Sequence, residues 1–495
     1  MNPGSYLLGI DAGHSSIKAA VFDARGTTAG AAQEITTPFS RTAGWQEHDM
    51  DTTWDLTAAA VRRAIADSGI DPADIGGVGI SAHGDGLYLV DERHRPVRPA
   101  ILATDTRASI RDPRMDAAAA DALLRSTGQL PAPYCAGALL AWLQQHEPAA
   151  LGAARWVLHC KDWIGLRLTG AVRTDATDAA GLTDHHTGEW SDVALRLWGV
   201  GGCRTRLPDI RPSHDATDGV TADAAAMTGL RAGTPVVVGA HDVHAAALGI
   251  GALEDGALSS VIGTFNINQI ATRTPRIDPH WQVRRSLRPG LHLHVSSSAA
   301  GAIAMEWLRD VTGQATVDID ASVTDALTRP VSPSDALFVP FLYGGPPEAP
   351  SSGALLNLAG WTSRTDLVRA GLEGVVYAHR LHLEALTGSP RGAHPGTPLR
   401  LTGGGSRNRA WTQLFADATG YTVEVTDTDE AGARGAAMLA GLGVGLLEHP
   451  DVARRWITVA RRHTPERSRG QLFDVRYRRW AAAITALRGL DTSDD

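Results

Sequence analysis

The stretch LLGIDAGHSSIKAAVFDARG, residues 7–26, constrains this chain more than any other. Its apolar ends predict two buried strands and the small polar residues between them predict a tight turn, so we expect a hairpin. Backbone N–H groups of such a turn can wrap an anion. Asp11 lies where a hydrated metal ion on a phosphate needs a carboxylate, and Gly13 allows close backbone approach. Further donors are Ser15, Ser16 and Lys18.

An ordinary surface hairpin explains this stretch equally well when it is taken alone, but a second hairpin of the same kind occurs at 257–272, with Gly263 and Thr264 in its turn. Just before it, an apolar strand leads into Asp242 at the start of a small-residue helix. Late in the chain, residues 399–420 predict a strand, a triple-glycine loop and a helix. Two anion-binding hairpins, a carboxylate at a helix start and a late glycine loop form a specific ordered set.

With this set the chain resembles the FGGY carbohydrate kinases, within the sugar kinase, Hsp70 and actin superfamily, over nearly its whole length. The resemblance implies an α/β fold of two related ribonuclease H-like (actin-like ATPase) domains that face each other across a cleft. We expect an N-terminal domain over 1–248, with the sugar site and the first phosphate hairpin, and a C-terminal nucleotide-binding domain over 249–495. The last helix is expected to pack back toward the N-terminal domain.

The resemblance also assigns roles in phosphoryl transfer from ATP with Mg²⁺. Asp242 is expected to be the general base for the attacking hydroxyl, and Asp11 and Asp242 are expected to lie at the metal ion. A plain helix-capping aspartate is the alternative explanation for Asp242, and most glycine triplets are merely flexible turns. The predicted nucleotide and phosphate contacts are Asp11, Gly13, Ser15, Ser16, Lys18, Gly263, Thr264, Gly404, Gly405 and Asn408.

Three segments resemble the sugar-binding parts of the family, namely GWQEHD at 44–49, GISAHGDGLYLVD at 79–91 and ILATDTRA at 101–108. Xylulokinases usually carry Gln-Met-His-Gly in the second segment, where this chain has His-Gly-Asp-Gly, and in the third segment Ala and Thr replace the Trp and Asn of the family. Each segment also has a purely structural explanation. His83 and Asp85 could simply form a turn, Asp105 and Arg107 could form a surface ion pair, and Trp45 could be an exposed structural residue. The predicted sugar contacts are Trp45, Glu47, His83, Asp85, Asp105, Arg107 and Asp242.

Composition limits the other classes of function. The chain has 495 residues, which is too long for one core, and a net charge of −8, so no basic surface points to nucleic acid. No apolar run of membrane length and no signal peptide are apparent, and three widely spaced cysteines suit a reducing compartment. We therefore expect a cytoplasmic protein that binds a small sugar or polyol and ATP, without nucleic acid or membrane partners. A homodimer is left open.

The leading hypothesis is an ATP-dependent kinase that phosphorylates a terminal hydroxyl of a ketopentose such as L-xylulose. A kinase of erythritol or of a glycerol-type polyol is the alternative substrate class. A non-transferring ATPase module of the actin or Hsp70 type would need no sugar pocket. The three segments that resemble sugar-binding parts of the family therefore argue against it. A dehydrogenase is disfavoured because no Gly-x-Gly-x-x-Gly follows the first strand.

Overall fold

The computed structural model describes residues 5–108, 114–216, 218–313, 319–347, 349–390, 396–448 and 452–491. The strands of the N-terminal half are β1 (Tyr6–Ala12), β2 (Ser16–Asp23), β3 (Thr28–Ile35), β4 (Glu47–His48), β5 (Ile75–Ala82), β6 (Tyr88–Val90), β7 (Ala100–Ile101), β8 (Trp156–Leu158), β9 (Thr174–Asp175), β10 (Ile210–Arg211), β11 (Asp218–Gly219), β12 (Pro235–Val236) and β13 (Ala240–His241). Its helices are α1 (Met50–Ser68), α2 (Ala117–Thr127), α3 (Ala136–His146), α4 (Pro148–Ala153), α5 (Cys160–Thr169), α6 (Asp192–Leu197), α7 (Ala222–Thr228) and α8 (Asp242–Gly249).

The C-terminal half has the same kinds of element. Its strands are β14 (Leu258–Ile262), β15 (Asn266–Thr272), β16 (Gln282–Arg285), β17 (His292–Ser298), β18 (Leu337–Val339), β19 (Ala354–Leu356), β20 (Leu399–Thr402), β21 (Val423–Thr426) and β22 (Val459–His463). Its helices are α9 (Ala302–Val311), α10 (Ile319–Thr328), α11 (Arg364–Thr387), α12 (Arg409–Thr419), α13 (Ala431–Gly443) and α14 (Arg467–Asp491).

Each half is organised around one mixed sheet. The N-terminal sheet has the order β11-β12-β5-β1-β2-β3, with β13 also paired to β5, and the C-terminal sheet has the order β16-β17-β15-β14-β20-β21-β22. In the first, β1, β2 and β3 are antiparallel and β5 is parallel to β1; in the second, β14, β15 and β17 are antiparallel and β20 is parallel to β14. This repeated pattern confirms the prediction of two related α/β domains.

Local signals define where the long helices begin and end. The Asp49 side chain caps α1 by accepting from the Thr52 N–H, and Gly69 ends this helix in the left-handed conformation. A reciprocal capping box between Ser363 and Asp366 begins α11. Within the part of the chain that the structure describes, no helix is both long enough and apolar enough to cross a membrane.

Helix α13 joins the two halves. It packs on β1 and β5 of the N-terminal sheet and on α8, and its apolar residues share a core with Leu7 and Phe22. Glycines permit this contact: a Cβ at Gly9 or at Gly79 would lie 1.8 Å from a carbonyl oxygen of the helix. Because α5 packs against β5 as well, that strand is buried along almost its whole length and has the continuous apolar character of a covered parallel strand.

The last helix does not pack toward the N-terminal domain as the sequence led us to expect. Phe473, Tyr477 and Trp480 of α14 belong to the core of the C-terminal half, and the Trp480 indole N–H donates to the Phe338 carbonyl (2.8 Å). The helix therefore covers β18, α11 and α12. The physical reason is that these large aromatic side chains are buried in the C-terminal core, whereas the helix beside the N-terminal sheet is the alanine- and glycine-rich α13.

Replacing Gly79 with alanine is expected to lower the thermal unfolding temperature, because the new Cβ would lie 1.8 Å from the Ala436 carbonyl oxygen and α13 would have to move. Overpacking of this kind costs about 1–3 kcal/mol. Gly152→Ala in α4 is the matched control, since a Cβ there meets no atom within 4 Å. Calorimetric melting of both variants tests this; equal melting temperatures would contradict a need for glycine beneath α13.

Candidate active site

A cavity of about 380 Å³ lies between the two halves of the chain, within the size range of small-molecule sites. On the N-terminal side it is bounded by the carboxyl ends of β1, β5 and β13, which lie in register: Ala12 is opposite Ala82, and Ala82 is opposite His241. On the other side lies the turn that follows β14. The carboxyl ends of parallel strands are the usual binding edge of α/β sheets.

Both predicted phosphate hairpins open into this cavity. The lining residues from their turns are Gly13, Ser15, Ser16, Gly263 and Thr264. The first turn is closed by a hydrogen bond from the Gly13 N–H to the Ser16 carbonyl (2.9 Å). Lys18 lies outside the lining, where its ammonium forms an ion pair with Glu430 at 3.0 Å. That pair connects the first hairpin to the start of α13, so the phosphate contact predicted for Lys18 stays a prediction.

Asp242 lies at the cavity where β13 passes into α8, and 36% of its side chain is exposed. Its Oδ1 lies 2.8 Å from the His241 Nδ1. Burial raises the pKa of Asp242 to about 6, although His14, the Val243 N–H and Arg284 act in the opposite direction. Burial also lowers the pKa of His241 to about 3, so this imidazole is neutral. A carboxylate with a pKa near neutrality at a helix start is suited to accept a proton.

A buried network behind Asp242 fixes the backbone that carries it. The His241 N–H donates to the Thr177 hydroxyl (2.9 Å), which in turn donates to Asp175 (2.7 Å). The Lys161 ammonium, which is fully buried, lies 2.6 Å from Asp162 and 3.4 Å from Asp175. The Lys161 ammonium thus pairs with both carboxylates behind the cavity, and Asp175 anchors the end of β13 through Thr177.

Asp11 lies at the end of β1, and the Ser81 hydroxyl donates to its Oδ1 (2.9 Å). The carboxylate packs against the first turn of α13, where a Cβ at Gly432 would lie 2.2 Å from Oδ2. Burial first, and then the charge of Asp242, raise the pKa of Asp11 to about 7. The two acids therefore disfavour each other's ionised form across the site.

This donor set fits a Mg²⁺ ion. A divalent cation would relieve the burial cost that raises the pKa values of Asp11 and Asp242, and the repulsion from Asp242 that raises the pKa of Asp11 further. Among the residues that the structure describes, no group of three or more His, Cys, Asp or Glu side chains could hold a metal. Phosphate oxygens would have to complete the coordination, as is usual for Mg²⁺ sites with one or two carboxylates.

His83 and Asp85, the two predicted sugar contacts after β5, line the cavity. The His83 ring lies 4.1 Å from the ring of His14, and its Nε2 is 3.3 Å from the Tyr88 hydroxyl. Burial holds the pKa of His83 well below its usual range, and its Nδ1 is buried without a hydrogen-bond partner. Asp85 has a φ of 55°, in the region that disfavours non-glycine residues, and its carboxylate lies 3.4 Å from Arg284.

The other four predicted sugar contacts lie together, but they do not line the cavity. The Arg107 guanidinium donates to both oxygens of Asp105 (2.9 and 2.8 Å) and to Glu47 (2.9 Å), and it stacks on Trp45 at 3.9 Å. These side chains bind one another, although the Arg107 Nη1 is buried without a partner. The sugar contacts predicted for them stay a prediction. From the same segment, Ala103 and Thr104 line the cavity instead.

The glycine loop follows β20, beside the second phosphate hairpin. Gly404 and Gly405 form a short 3₁₀ turn. The Asn408 side-chain oxygen accepts from the backbone N–H groups of Ala410 and Trp411 (3.0 and 3.1 Å), so it caps α12. Because this oxygen is used by the helix, it is not free for a purine edge. Nucleotide contacts by Gly404, Gly405 and Asn408 stay a prediction.

The family models agree with this geometry. The model of the FGGY family of carbohydrate kinases, N-terminal domain, matches residues 6–249, and the model of its C-terminal domain matches residues 258–444. The chain belongs to the FGGY carbohydrate kinases. It is therefore a phosphotransferase of this family, with two α/β domains.

Individual relatives cover the whole kinase. The chain is 32% identical to the L-xylulose/3-keto-L-gulonate kinase of Escherichia coli, over 98% of this chain and 97% of that protein. It is 30% identical to the erythritol kinase of Brucella abortus, over 89% of this chain and 88% of that protein. The crystal structure of xylulose kinase from Rhodospirillum rubrum superposes with a TM-score of 0.84 at 27% identity, over 98% of this chain and 99% of that one.

Sequence reasoning missed several cavity residues of this FGGY kinase. Tyr134, Gln282 and Arg284 line the cavity beside Asp85. The Tyr134 carbonyl accepts from the Gly86 N–H (3.2 Å), so it is anchored to the sugar segment. The sequence signal that could have identified Tyr134 is its position, since it is an aromatic residue in the loop just before α3. Arg284 lies in an ordinary strand pattern, and nothing local distinguishes it from Arg285.

Asp11→Asn is expected to raise the melting temperature of the ligand-free kinase at pH 8. In the folded state the pKa of Asp11 is raised from 3.8 to about 7, so ionisation of this carboxyl destabilises the fold increasingly as the pH rises between these values. The neutral amide removes that cost, and the gain should shrink as the pH falls from 8 toward 4. Melting curves across this range test it, with the exposed Asp121→Asn as control. A gain independent of pH would contradict the assignment.

Proposed function

We propose that this FGGY kinase transfers the γ-phosphoryl group of ATP to a terminal hydroxyl of a neutral ketopentose such as L-xylulose. The observation that carries the proposal is the position of Asp242, in a cavity lined by both phosphate hairpins and by the sugar segment after β5. The E. coli relative is named for a neutral ketopentose and for a sugar acid. A second relative at 30% identity, from Pasteurella multocida, is named as a probable L-xylulose kinase.

A four-carbon polyol is the second candidate, because the erythritol kinase of Brucella abortus is 30% identical to this chain. A kinase of either kind would act where ATP is formed and where the three buried, unpaired cysteines stay reduced. That compartment is the cytoplasm.

In the proposed reaction the terminal hydroxyl oxygen forms a bond to the γ-phosphorus, the bond from that phosphorus to the bridging oxygen breaks, and ADP leaves. Asp242 accepts the hydroxyl proton at its carboxylate. His241, neutral and 2.8 Å away, keeps the carboxylate oriented. The two turns, which line the cavity with Ser15 and Ser16 on one side and Thr264 on the other, would contact the phosphates.

Asp11 and Asp242 would hold the magnesium that accompanies ATP. Bound there, Mg²⁺ would neutralise the charge that develops on the phosphate oxygens. Ser81 keeps the Asp11 carboxylate in position through its hydrogen bond of 2.9 Å. Sugar binding would bring the two halves together and exclude water from the γ-phosphate. Without sugar the halves would stay apart, and we expect only slow ATP hydrolysis by the water that enters the open cleft.

Asp242→Asn is expected to lower kcat by ~10²–10⁴-fold, because the amide cannot accept the proton. The variant should stay folded and still bind MgADP, and its melting temperature at pH 8 should be no lower than that of the parent enzyme, because the amide removes a carboxylate whose pKa is raised to about 6. Steady-state ADP release and calorimetric titration measure these quantities. Near-normal turnover of this variant would refute the assignment of the base.

The substrate is tested by ADP release with D-xylulose, L-xylulose, D-ribulose, L-ribulose, glycerol, erythritol, ribitol and D-arabitol. We expect the highest kcat/KM with L-xylulose. A clear preference for erythritol would replace the ketopentose by the polyol. Silence across the panel, with MgADP still bound, would refute the proposed substrate class and indicate a larger or unusual sugar, or a member of the superfamily that has lost transfer.

A further inference from the structure

The edge strand β16 of the C-terminal sheet reaches the N-terminal half with three consecutive residues. The Val283 N–H donates to the Gly128 carbonyl (2.8 Å), and the Arg285 guanidinium donates to the His186 carbonyl (2.5 Å). Between them, Arg284 lies 3.4 Å from Asp85. Because successive side chains of a strand point to opposite faces, Arg284 enters the cavity while Arg285 stays outside its lining.

Arg284 is a buried cation whose side chain is fixed in orientation at the cavity. Its side chain is 4% exposed, and its Nε donates to the Gln282 Oε1 (2.8 Å), which fixes the plane of the guanidinium. Gln282 lines the cavity as well. A planar guanidinium in a fixed orientation can donate to two neighbouring oxygens of a ligand.

The contact between Arg284 and Asp85 is long for such a pair. One guanidinium nitrogen lies 3.4 Å from one carboxylate oxygen, whereas Arg107 and Asp105 make two bonds of 2.9 and 2.8 Å. Good guanidinium–carboxylate pairs are short and bidentate. Asp85 also keeps its left-handed φ of 55°, a strain that tends to persist at ligand sites. Both groups thus retain bonding capacity toward a molecule in the cavity.

We propose that Arg284 and Asp85 form a specificity clamp, in which Arg284 donates to one sugar oxygen while Asp85 accepts from a neighbouring hydroxyl. This inference rests on the proposed function and names its substrate class: neutral ketoses and polyols, with sugar acids rejected. Among the residues that the structure describes, the charged side chains that line the cavity are the carboxylates of Asp85 and Asp242 and the guanidinium of Arg284. The carboxylate of a sugar acid would therefore be repelled by two like charges, and Arg284, its one attractive partner, lies beside one of them, Asp85.

The clamp also explains how a residue of the C-terminal half could act on the sugar. Asp85 belongs to the loop after β5 and Arg284 to the opposite domain, so a sugar held by both draws the halves together. Such contact would favour the arrangement in which the phosphate hairpins face Asp242. Arg284 is thereby a substrate-positioning residue in addition to the groups proposed for phosphoryl transfer.

The test measures kcat and KM by ADP release for the parent enzyme, Arg284→Gln, Asp85→Asn and the control Arg285→Gln. The acceptors are the preferred neutral sugar from the panel, D-gluconate and L-gulonate. The parent enzyme should prefer the neutral sugar by about 100-fold or more in kcat/KM. Arg284→Gln should raise KM for this sugar by about 10–100-fold, the range for a lost hydrogen bond to a charged group, with a smaller effect on kcat. Arg285→Gln should resemble the parent enzyme.

Asp85→Asn separates charge from shape. It should weaken use of the neutral sugar but raise the ratio of aldonate to neutral kcat/KM, because it leaves the Arg284 guanidinium without its carboxylate partner. Arg284→Lys keeps the positive charge but loses the planar, multiply donating guanidinium. Its KM for the neutral sugar should therefore lie between those of the parent enzyme and Arg284→Gln. MgADP binding and melting temperatures verify that each variant is folded.

Three results would overturn the clamp while leaving the kinase intact: equal use of aldonates by the parent enzyme, identical kinetics of Arg284→Gln and Arg285→Gln, or an unchanged aldonate ratio in Asp85→Asn. If the parent enzyme phosphorylates neither class, the proposed function fails and the clamp fails with it.

Discussion

The close packing of α13 on β1 and β5 is the contact on which the rest of the structure depends. Glycines at positions 9 and 79 bring the helix backbone against the sheet, so the start of the helix reaches the end of β1. There Gly432 leaves room for the Asp11 carboxylate, and Glu430 pairs with Lys18. A helix of the C-terminal half thus packs against the end of the first predicted phosphate hairpin. Any change that moves α13 alters both the joint between the halves and the environment of a predicted metal carboxylate.

The site stores charge at a cost to the fold. Partial burial raises the pKa values of Asp11 and Asp242, and burial lowers the pKa of the neighbouring His14 to about 4, so this imidazole is neutral. Groups in this condition destabilise a ligand-free protein, and ligands that supply cations and donors would relieve them. Lys161 is the opposite case: its buried ammonium pairs within the protein with Asp162 and Asp175, which supports the backbone behind the cavity.

Much of the fold and part of the site could be predicted from sequence, because the relevant residues follow strands and are marked by glycine. Asp11, His83 and Asp242 all lie at the carboxyl ends of neighbouring parallel strands. A sequence motif at such a strand end predicts where its residues lie in the fold. Arg284 could not be predicted this way, since its importance arises from the placement of an edge strand against the other half. The prediction of where α14 packs was wrong for a similar reason: its aromatic residues indicate that the helix is buried, but they do not indicate in which core.

The segment 101–108 shows how residue type and residue role diverge. Its Asp105 and Arg107 match the related family segment, yet in this protein they bind each other and Glu47, and the Gln46 N–H donates to Asp105 (2.6 Å). This closed cluster fixes the backbone so that the two preceding residues face the cavity. Where the family carries a large indole and an amide, the cavity meets Ala103 and Thr104. The paired charges match the family segment while the lining residues differ from it, so the shape of this cavity depends on small side chains that a charged cluster outside the lining holds in position.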